Sequence, residues 1–189
     1  MLHLIVGRQG SGKTLYIVKM ALECHLRGKT VYSNVHLHFP YKRLIYSDIV
    51  NCNLEDGVVI IDEAHLLLPS RNSLSKRSRK ICDGFISMIR KKNLEVFMTT
   101  QMLLKIDIRI RIEKDFLYIA TKYASNDGCW EEIRHNHDLA PSIPIAIRLE
   151  VIESFSLQES QFIFIGNGYF DLYDSRQIIN IADGEGLDE

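Results

Sequence analysis

The chain has 189 residues, 46% hydrophobic and 25% charged, which is the composition of a globular domain with a core of its own and excludes a disordered or fibrous chain. Lys and Arg number 23 against 24 Asp and Glu, for a net charge of -1, so any contact with nucleic acid has to come from a local patch or from an assembled ring. No apolar run approaches the roughly 20 residues that span a bilayer, and the apolar start Met1-Leu2-His3-Leu4-Ile5-Val6-Gly7 has no basic flank or cleavage site, so it reads as a buried strand and not a signal peptide.

Apolar runs and helical stretches alternate along the chain, which predicts an α/β fold with a mainly parallel central sheet. Leu2–Val6 reads as a strand. Thr14–Arg27 reads as a helix, with Leu15, Val18, Leu22 and Leu26 on one face and Gly28 as its stop. Thr30–Val35 is a second strand, and the continuous aliphatic run Val58–Ile61 is one covered on both faces. A helix over Ile81–Arg90 and strands at Glu95–Thr99 and Phe116–Thr121 follow. Beyond Pro141 and Pro144 the pattern changes: a strand at Ile145–Ile152, then Gln161–Ile165 and Tyr169–Tyr173 flanking Gly166-Asn167-Gly168 as a hairpin. The organisation expected is a core over 1–140, an antiparallel strand extension of the same domain over 141–182 and an acidic tail over 183–189.

Between the first strand and the first helix stands Gly7-Arg8-Gln9-Gly10-Ser11-Gly12-Lys13-Thr14, a complete G-x-x-x-x-G-K-[ST] P-loop. Its glycines let backbone N–H groups turn toward phosphate oxygens at a helix N-terminus. In that pattern Lys13 reaches the β- and γ-phosphates of ATP and the Thr14 hydroxyl ligates Mg²⁺. Val58-Val59-Ile60-Ile61-Asp62-Glu63 is the matching Walker B strand: Asp62 is the second Mg²⁺ candidate and Glu63 the candidate general base for a lytic water. Gln101, at the end of the Glu95 strand, is a candidate γ-phosphate sensor. Arg109 and Arg111, sharing a face if Asp107–Arg111 is extended, are candidate arginine fingers acting on a neighbouring subunit. Arg71 to Lys80 is the densest basic stretch and the candidate contact with double-stranded DNA phosphates. Asp62-Glu63-Ala64-His65 spells the helicase DEAH tetrapeptide, a reading set aside because such helicases use two lobes. Four widely spaced cysteines, Cys24, Cys52, Cys82 and Cys129, point to neither zinc nor disulfides, and no metal is expected at the pairs His36/His38 and His135/His137.

The order of these pieces resembles the FtsK/HerA superfamily of P-loop ATPases. The features that carry the resemblance are Gly7–Thr14, Val58–His65, Ile89-Arg90-Lys91-Lys92, Val96–Gln101 and Ile106–Arg111, with the late Tyr169–Ser175 similar to a family ending in YDT that has Ser175 for Thr. Within the superfamily it looks like the branch of the genome-packaging ATPases of membrane-containing viruses and the zonula occludens toxin-like assembly proteins of filamentous phages. The resemblance implies a RecA-like core, a homo-oligomeric ring (often a hexamer) and ATP-driven movement of DNA. It also implies a capsid or membrane-associated virion protein as partner and the cytoplasm of an infected cell as the place of work. Zonula occludens toxin-like proteins usually run on into a membrane span, and this chain ends before one. The expectation is therefore a packaging motor for a double-stranded viral genome, with a phage assembly or secretion ATPase as the alternative and a P-loop kinase behind both.

Overall fold

The computed structural model describes residues 1–69, 76–126, 128–133 and 143–174. The predicted Ser-rich basic segment 71–75, His135, His137, Pro141, Ser175 and the tail 183–189 lie outside them. In chain order the elements are β1 (Leu2–Val6), α1 (Lys13–Leu26), β2 (Thr30–Ser33), β3 (Lys42–Arg43), α2 (Tyr46–Asn51), β4 (Gly57–Ile61), α3 (Lys76–Lys91), β5 (Leu94–Thr100), α4 (Ile108–Glu113), β6 (Phe116–Asn126), β7 (Cys129–Glu132), β8 (Ile145–Glu153) and β9 (Glu159–Ile165).

The described strands make one sheet of order β3-β2-β4-β5-β1-β6-β8-β9, with β7 paired to β6. From β3 to β6 every pairing is parallel, while β6–β8 and β8–β9 are antiparallel, so a parallel core carries an antiparallel extension as expected. The aliphatic run of β4 is buried at every position, because helices cover both faces of the central strands. On one face α1 presents Leu15, Ile17, Val18 and Ala21 to Val58, Ile60, Phe97, Ile147 and Leu149. On the other, Phe85, Met88 and Ile89 of α3 and Ile110 of α4 meet Leu4, Val59, Ile61, Val96 and Met98. The helix α1 stops where Gly28 turns left-handed at φ 80°, and α3 begins five residues ahead of the predicted Ile81.

Two predicted elements differ. Asp107–Arg111 is not extended: Asp107 caps the short helix α4 by accepting the Arg109 N–H at 3.0 Å. On a helix, residues two apart point some 200° from one another, so Arg109 and Arg111 do not share a face. The Gly166-Asn167-Gly168 hairpin is absent as well. The Asn167 side chain accepts from Ile145 N at 2.7 Å and donates to Ile143 O at 3.0 Å, tying the end of β9 back to the start of β8. The chain then forms a 3₁₀ turn over Asn167–Leu172 that packs on α1, and Tyr173 bridges to Leu37.

At the amino-terminal end of the sheet, His3 is buried. Its ring stacks between Phe97, 4.3 Å away, and Phe116, 5.1 Å away, and its Nδ1 lies 2.9 Å from the Tyr118 hydroxyl. Burial holds its pKa down at about 4, with Glu95 opposing. The unfolded chain takes up this proton near the ordinary value of 6.5, the native state only near 4. Stability is therefore complete above 6.5 and falls as the pH drops from 6.5 to 4, by about 3 kcal/mol. Urea unfolding at pH 7 and pH 4.5 tests this: the loss shrinks by most of that amount in His3→Phe.

Candidate active site

The P-loop leaves β1 and runs into α1 as the sequence predicts. Gly10 and Gly12 sit at φ 75° and 90°, in the left-handed region that favours glycine. A Cβ on Gly12 would stand 2.2 Å from Ile147 Cδ1, so β8 closes directly against the loop. A Cβ on Gly7 would meet the Ala120 carbonyl of β6 at 2.7 Å. No side chain caps α1, so its first-turn N–H groups face the loop without intrahelical partners. The Ser11 hydroxyl is buried there with no hydrogen-bond partner, packed against Gly7, where an added Cβ would lie 2.5 Å from its Oγ. Arg8 and Gln9 are exposed at the tip. Lys13 is 5% exposed and donates to the Arg8 carbonyl at 2.9 Å. Burial lowers its pKa, against the pull of the carboxylates of Glu63 and Asp62.

Those carboxylates arrive from β4. The Thr14 hydroxyl donates to both carboxylate oxygens of Asp62 at 3.0 Å, which brings the P-loop and the end of the Walker B strand into direct contact. Asp62 is 9% exposed, and burial raises its pKa, with the Thr99 and Thr14 hydroxyls opposing. Its hydrogen-bond partners here are neutral hydroxyls. A buried carboxylate beside two hydroxyl oxygens is a hard-oxygen donor set, which fits Mg²⁺.

Three residues that sequence reasoning passed over complete the arrangement. Asn34, just past β2, brackets Asp62 with both ends of its amide: Nδ2 donates to Asp62 O at 2.9 Å and Oδ1 accepts from Asp62 N at 2.8 Å. Thr99 of β5 donates to Asp62 Oδ1 and accepts from Glu63 N at 2.9 Å. His65 places its Nδ1 3.2 Å from Glu63 Oε2. The only sequence signal for His65 was the DEAH tetrapeptide; Asn34 and Thr99 act through strand neighbours and left none.

Gln101 emerges from β5, between β4 and β1, and donates from Nε2 to Glu63 Oε1 at 3.1 Å. Lys13, Thr14, Asp62, Glu63 and Gln101 are thus brought together at the carboxyl edge of the parallel strands, where open α/β sheets bind ligands. The two arginines are not. Arg109 makes a bidentate pair with Asp107, Nε to Oδ1 at 2.8 Å and Nη2 to Oδ2 at 2.6 Å, and Asp107 is completely buried. Burial works against the charge of Asp107, but its bonds to Arg109 hold its pKa below the usual value. Arg111 donates from Nε to the Ile106 carbonyl at 3.1 Å. Arg79 and Lys80 of the basic stretch are exposed on α3. His36 and His38 face each other at 5.5 Å, engaged with the Tyr41 hydroxyl and the Asp171 carbonyl. Among the described residues no helix is long and apolar enough to cross a membrane.

The sequence model of the zonular occludens toxin (Zot) family matches residues 38–124, which include the Walker B strand and β5. No sequence among the curated proteins matches the chain. Of solved structures, the N-terminal domain of zonular occludens toxin from Neisseria meningitidis is similar at TM-score 0.60 and 20% identity, over 91% of this chain and 97% of that one. The genome packaging NTPase B204 from Sulfolobus turreted icosahedral virus 2, solved with ATP-gammaS, is similar at TM-score 0.55 and 15% identity, over 85% of this chain and 95% of that one. A flagellar accessory protein, FlaH from Methanocaldococcus jannaschii, is similar at TM-score 0.54 and 11% identity, over 86% and 84%. The chain has the RecA-like P-loop NTPase fold and, within it, resembles the zonular occludens toxin domain and the viral genome-packaging NTPases.

Proposed function

We propose that this protein hydrolyses ATP and couples the reaction to moving double-stranded DNA, as a motor that packages a viral genome. The observation that carries the hydrolysis is the direct contact of Thr14 with Asp62, which sets Glu63 and Gln101 beside the P-loop. The loop N–H groups and Lys13 bind the phosphates of ATP, Lys13 exchanging the Arg8 carbonyl for a phosphate oxygen. Thr14 and Asp62 would hold Mg²⁺, which when bound neutralises phosphate charge. Glu63 takes a proton from water as the water oxygen bonds to the γ-phosphorus and the bridging oxygen leaves with ADP; the products are ADP and phosphate. A carboxylate next to a buried Asp at the loop favours water over a second substrate as acceptor, and so a hydrolase over a kinase.

Assembly into a ring is supported by large apolar side chains exposed on the segments that leave β4 and β5: Leu66, Met102, Leu104, Ile108 and Ile112. Arg111 is assigned the action in trans. Withdrawing Arg109 would strand the buried carboxylate of Asp107, at a cost of several kcal/mol. The likeness to B204, a genome packaging NTPase, supports DNA as cargo, with Arg71 to Lys80 as the contact. The Zot match over residues 38–124 favours a second reading, a phage assembly or secretion ATPase.

An ATPase assay with and without double-stranded DNA, across a series of protein concentrations, tests the proposal. Turnover per subunit is expected to rise with concentration and again with DNA, and to vanish in Lys13→Ala. Turnover unaffected by dilution would remove the trans arginine, and turnover indifferent to DNA would favour the second reading. Phosphorylated acceptor in place of free phosphate would overturn hydrolysis.

A further inference from the structure

Resting on the reading of Glu63 as general base, we propose that His65 is the positioning residue that holds this carboxylate in line for water, with Gln101 as its exchangeable second partner. Glu63 stands at φ 49° as the first residue of a tight turn, its N–H bound to Thr99 and its carbonyl accepting from Leu66 N at 2.9 Å. The turn Ala64–Leu66 is anchored by the buried side chains of Ala64 and Leu68. The backbone on either side of the carboxylate is therefore fixed, but the carboxylate itself hangs on rotatable bonds.

Its two oxygens meet unlike neighbours. Oε1 accepts from Gln101, an exposed residue where β5 gives way to a loop, so this partner is free to turn elsewhere. Oε2 faces His65 Nδ1 at 3.2 Å. Both of those atoms are shut off from solvent and neither makes a hydrogen bond as the side chains stand, so a small turn of the imidazole toward Oε2 would satisfy both at once. The half-buried imidazole, carried by the anchored turn, is the fixed side of the clamp. When Gln101 turns to a bound γ-phosphate, Oε1 is released to accept a water proton while His65 Nδ1 closes on Oε2 as its donor. Without His65 the freed carboxylate samples several rotamers, and only a fraction of them face the water.

The test is steady-state ATP hydrolysis together with binding of a fluorescent ATP analogue. His65→Ala is expected to lower kcat about tenfold while KM and analogue affinity hold. His65→Asn, whose amide nitrogen offers the same donor, restores most of the rate. In a Glu63→Gln background, His65→Ala has no additional effect. An unchanged kcat in His65→Ala, an equal loss in the Glu63→Gln background, or a parallel loss of analogue binding overturns the inference. Full turnover in Glu63→Gln alone would instead show that the base assignment is at fault, and would take the role of His65 with it.

Discussion

Glu63→Gln is expected to lower ATP turnover by about 10²- to 10⁴-fold, the range by which a positioned general base accelerates proton transfer, and to leave nucleotide binding in place. The substitution is nearly isosteric. Its amide keeps an oxygen for the Gln101 donor at Oε1, and the backbone bond to Thr99 is untouched, so the site stays assembled. It removes the one property that the proposed hydrolysis needs there, a lone pair basic enough to take a proton. A quenched-flow measurement of phosphate release, paired with equilibrium binding of the fluorescent analogue, separates the two. Binding lost along with turnover would mean that the carboxylate helps hold the P-loop, most directly through its field on buried Lys13.

Gly12→Ala is expected to destabilise the protein by about 2 to 5 kcal/mol, from a left-handed backbone imposed on an L-residue and from overpacking. The added methyl would lie 2.2 Å from Ile147 Cδ1, so the overpacking is against β8 and not against any ligand. Chemical denaturation of Gly12→Ala, Ile147→Val and the double variant checks this. Trimming Ile147 removes the 2.2 Å contact and recovers part of the overpacking loss; the contact with Cγ1 at 2.9 Å and the backbone part remain. No recovery would mean that the loop, and not its contact with β8, sets the cost.

The P-loop could be read from spacing because eight consecutive residues carry it, and the Walker B strand because an aliphatic run ended in two carboxylates. The residues that hold Asp62 in place could not. Asn34 and Thr99 stand one strand away on either side, and only the order β2-β4-β5 makes them neighbours. Asp107-Ile108-Arg109-Ile110-Arg111 alternates as a strand does, and it forms a helix because Asp107 caps it and its single buried Ile110 docks beside α3. The cap was written in the sequence; the docking that outweighed the alternation was not. Gly166-Asn167-Gly168 has the composition of a hairpin, yet the Asn167 amide serves backbone twenty-odd residues earlier, a long-range use that local turn chemistry cannot anticipate.

The closure of β8 on Gly12 has a consequence for how the protein is made. The wall of the phosphate loop is completed by a strand that leaves the ribosome more than a hundred residues after the loop itself. A nascent or prematurely ended chain carries every residue of the P-loop but lacks the surface that shapes it. The final shape of the loop is therefore set late in synthesis, only once β8 has been made and has docked.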